Sequence, residues 1–160
     1  MSDKNMIAEA AEKIFKDFLT PALRNEVYAG RWPKLLWDKL DETGLLLAAR
    51  PESAGGSGLG IGECCAIARS CGQHAVPLPL VETYIADQVL AAAGIAAAGG
   101  ITGIALPARG NTLTLRRTAT GALVSGTLRQ VPWGRFLENL VAIADDGGQP
   151  VTVVLPGPFT

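Results

Sequence analysis

Gly44-Leu45-Leu46-Leu47-Ala48-Ala49-Arg50-Pro51-Glu52-Ser53-Ala54-Gly55-Gly56-Ser57-Gly58-Leu59-Gly60 decides how the rest of this 160-residue chain is read. Gly44 is a natural left-handed stop for a preceding helix, because glycine reaches positive φ without a Cβ clash. A short apolar run follows, then a Pro-Glu turn, then a glycine-dense loop feeding a new helix near Gly60. Testing each glycine as a start gives no G-x-G-x-x-G dinucleotide fingerprint and no phosphate-binding G-x-x-x-x-G-K-[ST] loop. On residue chemistry the loop is a tight turn before a helix, whose first free amides are a weak anion site at most.

Upstream of this stretch, Met6 or Ile7, Ala10, Ile14 and Phe18 recur at spacings of three and four. Lys4, Glu9, Glu12, Lys13, Lys16 and Asp17 fall mostly elsewhere on the wheel, which predicts an amphipathic helix of about four turns stopped by Pro21. A second helix is expected from near Pro33 to Gly44, burying Leu36, Trp37 and Leu40. Downstream, a third runs from about Gly60 to Ser70 and closes at Gly72. A fourth runs from about Pro79 to Ala93, entered through Pro77-Leu78-Pro79 and capped by Gly94.

Ile95 to Gly100 is an Ala/Gly hinge, and beyond it no helical period remains. Ile101-Leu106, Thr112-Arg116, Ala122-Arg129, Leu137-Ala144 and Val151-Leu155 are short apolar or alternating runs separated by turn residues. That pattern predicts antiparallel strands. The expected architecture is α+β, with an all-α unit over residues 1–97 and a partial antiparallel, barrel-like β unit over 98–160.

Composition narrows the function classes. Hydrophobic residues make up 48% and charged residues 18%, so surface for a partner or ligand is expected, although abundant alanine explains part of the excess. A net charge of -1 argues against nucleic acid, which needs a basic face to neutralise phosphates. No apolar run approaches the roughly twenty residues of a membrane-spanning helix, and Met1 to Asn5 show no secretory signal, so no membrane and a cytoplasmic location are expected. Cys64, Cys65 and Cys71 are odd in number and lack zinc-ligand spacing. The one histidine, His74, has no nucleophile or orienting acid in an evident arrangement, so no metal site and no catalytic residue are assigned. Trp32, Trp37 and Trp133 read as core or interface residues. Pro132-Trp133-Gly134 stands out because it interrupts a β run where a plain strand would not choose it.

The order Gly44-Leu45, apolar run, Pro51-Glu52, Gly55-Gly56-x-Gly58, preceded by Trp37-Asp38-Lys39-Leu40, resembles the N-terminal domain of acyl-CoA dehydrogenases. Gln73-His74-Ala75-Val76-Pro77-Leu78-Pro79-Leu80-Val81-Glu82-Thr83 is similar to a branch whose members often work as unequal subunits on bulky acyl-CoAs. Val124-Ser125-Gly126-Thr127-Leu128-Arg129-Gln130-Val131-Pro132-Trp133 resembles the strand and Trp-Ile-Thr bend of the middle β domain. The resemblance implies an FAD-dependent oxidoreductase of lipid metabolism and fatty acid β-oxidation that dehydrogenates an acyl-CoA thioester. It implies a homo- or hetero-oligomer and, in an active enzyme, an electron-transfer flavoprotein as acceptor. The bend falls on Gln130, Val131 and Pro132, followed by Trp133, and a second flavin-contacting loop falls near Leu106, Pro107 and Ala108. Glutamine and proline replace the usual indole and hydroxyl. Cys64, Ile67, Ala68, Cys71, Tyr84 and Gln88 are expected to border the acyl pocket.

The resemblance covers only the front half of such an enzyme, without the C-terminal helical bundle that supplies the base. The implied alternatives are a fragment or degenerate product, a non-catalytic small subunit docking on a complete flavoprotein, and a plain acyl- or isoprenoid-binding helical domain. The isolated chain is expected not to turn over substrate.

Overall fold

The computed structural model describes residues 3–106, 108–110 and 112–159, with side chains from Met6 onward. Helix α1 spans Asp3–Phe18 and turns Ala11, Ile14 and Phe15 inward, as its apolar spacing requires. Pro21 does more than end it. Helix α2, Pro21–Tyr28, starts on that residue, with the Thr20 hydroxyl accepting a 3.2 Å hydrogen bond from the Leu23 amide. Proline fits a first helical position because the N–H it lacks has no intrahelical partner there. Helix α3, Lys34–Glu42, follows, and Gly44 sits at φ +71 as the left-handed stop. Helix α4, Ile61–His74, runs through Gly72 rather than closing on it, and Ala75 takes the left-handed cap at φ +48. Helix α5 spans Leu80–Ala92.

The stretch from Gly44 to Gly60 folds back on itself. A 3₁₀ turn at Leu45–Leu47 and another at Glu52–Ala54 bracket Pro51. The Gly58 amide donates to the Arg50 carbonyl and the Leu59 amide to the Ala48 carbonyl, each at 2.9 Å. A Cβ on Gly56 would run into the Arg50 carbonyl, so the close approach of these two backbone segments requires glycine.

Helix α5 fastens this loop and the sheet together. Its Tyr84 hydroxyl donates to the Leu45 carbonyl at 2.7 Å, and its Gln88 amide donates to the Ala49 carbonyl at 2.6 Å. Asp87, 2% exposed, accepts from Arg50 Nε and Nη2 at 3.3 and 3.2 Å. On its other side, the Thr83 hydroxyl lies 2.7 Å from the Thr102 carbonyl.

Five strands form one sheet: β1 Thr102–Ile104, β2 Thr112–Thr118, β3 Gly121–Thr127, β4 Asn139–Asp146 and β5 Gln149–Pro156. The β2–β3 and β4–β5 pairs are antiparallel hairpins, and β5 follows one edge of β4 from Asn139 to Asp146. β1 and β2 share the other edge of β4 and both run parallel to it, through Thr102↔Asn139 and Thr114↔Asp145. The sheet is therefore mixed, where alternation alone predicted antiparallel strands. Side-chain period fixes which residues are strand but carries no direction, and β1 is buried at every residue, as parallel strands are. The two faces of β4 alternate. Val141 packs with Ile104 on Ala86 and Leu90 of α5, while Leu140, Ala142 and Ala144 face a second cluster with Leu113 and Val153.

Candidate functional site

The face of the sheet turned away from α5 carries a cleft of about 850 Å³. Its floor is apolar, made by Leu113, Val124, Leu128, Leu140 and Leu155, and Phe159 closes one side. Gly126 also lines it, and glycine is required there because a Cβ would strike the Thr112 carbonyl of the neighbouring strand. That volume lies within the range of roughly 300–1,000 Å³ typical of small-molecule sites.

The facing wall is the connection from β3 to β4. Gln130 and Trp133 both stand in left-handed backbone, at φ +56 and +61, and a 3₁₀ turn at Gly134–Phe136 follows. Such conformations cost non-glycine residues about 1–3 kcal/mol each and persist where surrounding packing dictates them. Here the packing comes from the helices. Trp32, in the α2–α3 connection, meets Trp133 edge-on at 6.4 Å, Phe136 at 5.2 Å and Trp37 at 5.3 Å between ring centroids. The Arg135 guanidinium lies over the Phe136 ring at 4.7 Å.

Gln130, Val131 and Trp133, on which the resemblance puts the flavin-facing bend, are among the residues lining the cleft. Pro132 is exposed in the same turn and is not among the lining residues. Leu106 is 57% exposed just beyond β1 and does not line the cleft either, and Pro107 lies outside the described residues. Arg135, Phe136 and Phe159 complete the wall without having been singled out from sequence; their positions depend on a turn and a chain reversal that leave no periodic trace.

The six residues expected around an acyl pocket occupy the helical unit. Ile67, Cys71 and Tyr84 are buried in its core, and Cys64 and Ala68 are half-buried. Cys64 Sγ lies 3.8 Å from the Leu59 carbonyl, and the Tyr84 and Gln88 polar groups are taken up by backbone carbonyls. Burial pushes the Cys71 thiol up to about 12 and raises the Cys64 thiol and the Tyr84 phenol as well. These groups stay protonated at neutral pH, so they pack and donate hydrogen bonds rather than act as nucleophiles.

Among the described residues the remaining titratable side chains form no catalytic arrangement. His74 ends α4 with its ring 6.1 Å from Phe15 and Nε2 4.0 Å from the Glu12 carboxylate. Lys16 beside Glu12 holds that carboxyl below its ordinary value. Burial raises the Asp87 carboxyl, against the opposing pull of Arg50. Among the described residues no cluster of three or more His, Cys, Asp or Glu side chains is arranged to hold a metal ion, and no helix is long and apolar enough to cross a membrane. The cleft itself is lined by no carboxylate, imidazole or thiol among the described residues, and its one charged residue is Arg135. It can bind and orient a ligand, but it holds no group to take a proton from one.

A helical unit folded around a Pro-Glu, glycine-rich loop is thus joined by its last helix to a small mixed sheet. Residues 1–102 match the family described as acyl-CoA dehydrogenase, N-terminal domain. The chain belongs to the acyl-CoA dehydrogenase family. It is 28% identical over 142 residues to acyl-CoA dehydrogenase FadE27 of Mycobacterium tuberculosis (strain H37Rv), covering 79% of this chain and 38% of that one. Among solved structures it is similar to the Tcur3481-Tcur3483 steroid ACAD G363A variant, at 25% identity and TM-score 0.75, covering 96% of this chain and 48% of that chain. It shares the fold of a chain in the ChsE4-ChsE5 complex from Mycobacterium tuberculosis, at 21% identity and TM-score 0.80, with 98% and 48% covered. The chain thus spans 38% to 48% of the length of these relatives.

Proposed function

We propose that this chain supplies the helical domain, residues 1–97, and the first part of the β domain, residues 98–160, to an FAD-dependent acyl-CoA dehydrogenase assembled from more than one polypeptide. The observation that carries the reading is the cleft between the β sheet and the Gln130–Phe136 wall. Its apolar floor suits one face of a flat ring system, Gln130 and Trp133 line it from the facing wall, and Arg135 suits an anionic substituent. The residues present therefore fit part of a flavin nucleotide. Bound FAD supplies the hydride acceptor for α,β-dehydrogenation of an acyl-CoA thioester. The wall at Gln130, Val131 and Trp133 would orient the ring and exclude water from it, and Trp32 would hold that wall in place.

The base that removes the α-proton belongs, in this reading, to another part of the assembly, since no acid or imidazole lines the cleft among the described residues. Two solved relatives support a hetero-oligomer: the Tcur3481-Tcur3483 steroid ACAD, whose name pairs two components, and the ChsE4-ChsE5 complex. The steroid ACAD also supports a bulky acyl-CoA as substrate. Electrons would leave to an electron-transfer flavoprotein. A second reading, a non-catalytic subunit that completes a flavoprotein, is favoured by the closed packing of Ile67, Cys71 and Tyr84 where an acyl pocket was expected.

The test is co-expression with a longer acyl-CoA dehydrogenase homologue, followed by the visible spectrum of each purified species after desalting. A flavin band retained by the complex, bleached by acyl-CoA, and lost with Trp133→Ala in this chain is the expected result. A band unaffected by that substitution moves the function to the second reading. Failure to associate with any such homologue overturns both.

A further inference from the structure

We infer that Arg135 is the anion anchor of the cleft, selecting ligands that join a flat or apolar body to a phosphoryl group. The inference rests on the cleft being a ligand site, as proposed above. Among the lining residues Arg135 alone carries charge, and among the described residues no ion pair engages its guanidinium. An exposed arginine would ordinarily sample many rotamers. This one is aimed, because its guanidinium stacks on Phe136 at 4.7 Å and rests against Gly30 of the helical unit. A Cβ at Gly30 would stand 3.3 Å from Nη2, so the guanidinium lies close against that glycine. Phe136 is in turn fixed by Trp32 at 5.2 Å. Stacking holds the plane of the fork and leaves its N–H edges to donate, which suits the paired oxygens of a phosphate. A planar cation among the residues lining an apolar cleft makes a two-part recognition device, with the floor taking the ring or chain and the fork taking the charge.

Two sources supply that chemistry in this family setting, the phosphate of a flavin nucleotide and the phosphates of coenzyme A, and matched probes separate them. Dissociation constants are measured on the full chain for FMN against riboflavin and for coenzyme A against pantetheine, each pair differing by its phosphate-bearing part. The wild type is expected to favour the phosphorylated member of at least one pair. Arg135→Gln is expected to weaken that member about tenfold, the loss of one charge-assisted contact, while leaving the unphosphorylated member within about twofold. Arg135→Lys restores part of the preference, and added salt erodes it.

If both flavins bind and Arg135→Gln leaves their ratio unchanged, the anchor is overturned for flavin while the flavin cleft stands. If no flavin binds but coenzyme A is preferred over pantetheine through Arg135, the anchor stands and the flavin reading falls. No preference in either pair, or equal losses for both members in the variant, overturns the anchor. Circular dichroism of each variant confirms an intact fold.

Discussion

The helical unit and the sheet were built to different specifications. Where α1, α3, α4 and α5 meet the Gly44–Gly60 stretch, Phe15, Leu36, Leu40, Ile67 and Leu80 are fully buried and the polar side chains of α5 bond backbone carbonyls. Across the sheet, by contrast, the far face carries an open cleft whose wall holds two strained residues and, among the described residues, a cation outside any ion pair. The contrast teaches that the family's sequence signature lies in the region that is closed, while the candidate chemistry lies in the region where the signature is weakest. The helical motifs describe how the scaffold shuts. The sheet shows what it presents.

The largest effect that can break this contrast is loss of a core ring. Phe15→Ala is expected to cost about 3–5 kcal/mol in chemical denaturation, because the closed core cannot collapse into the space. A loss under about 1 kcal/mol would mean that the helical core is loose. Next is Arg50→Ala, which strands a buried carboxylate and is expected to cost about 3 kcal/mol at neutral pH. The penalty should shrink in acid. Asp87 titrates above its ordinary value in the folded chain, so the native state holds that proton more tightly than the unfolded one. Titration of Asp87 therefore lowers stability as pH rises from the ordinary carboxylate value through the raised one. Without Arg50 that window moves further up, and denaturation melts of the variant between pH 4 and 7 (a range of about three units) should show stability falling as pH rises.

Tyr84→Phe sharpens the comparison at smaller scale. It removes the shorter of two hydrogen bonds to the Leu45 carbonyl, leaving the 3.3 Å bond from the Ala48 amide, and is expected to cost about 1 kcal/mol. Lys34→Ala, which removes an exposed pair with Asp38, should change stability by no more than about 0.5 kcal/mol. Thiol chemistry gives a reading without mutation. Iodoacetamide should modify exposed Cys65 in the native chain, whereas Cys71, buried and shifted to about 12, should react only after unfolding. Mass spectrometry of the labelled peptides reports both, and equal labelling of the two would contradict the closed core.

Much of the scaffold was legible because local chemistry writes it. Gly44 as a helix stop, the helix beginning after Gly60, and the helix over 80–92 each follow from caps and apolar period. Thr20-Pro21 was equally legible as a cap and first turn, yet the proline read as a stop because it does both things at once. The parallel run of β1 beside β4 was not legible, since its partner lies far along the chain and no residue type encodes direction. For the cleft, the odd Pro132-Trp133-Gly134 interruption falls in the connection that forms its wall. Arg135 was not legible because a lone arginine has no pattern; the ring beneath it and the glycine beside it are visible only in the fold.

The stretch from Ile95 to Gly100 has the composition of a flexible tether, yet it is tied on both sides. Arg50 Nη2 donates to the Ala98 carbonyl at 3.2 Å, and the Asn139 amide donates to the Gly99 carbonyl at 2.6 Å. The arginine that neutralises Asp87 in the helical unit thus also grips the crossing into the sheet, and the first residue of β4 grips it from the far side. A chain fastened this way is joined across the seam by side chains from both units. Helices and sheet should melt in a single calorimetric transition, with the heat of unfolding belonging to the pair rather than to either alone.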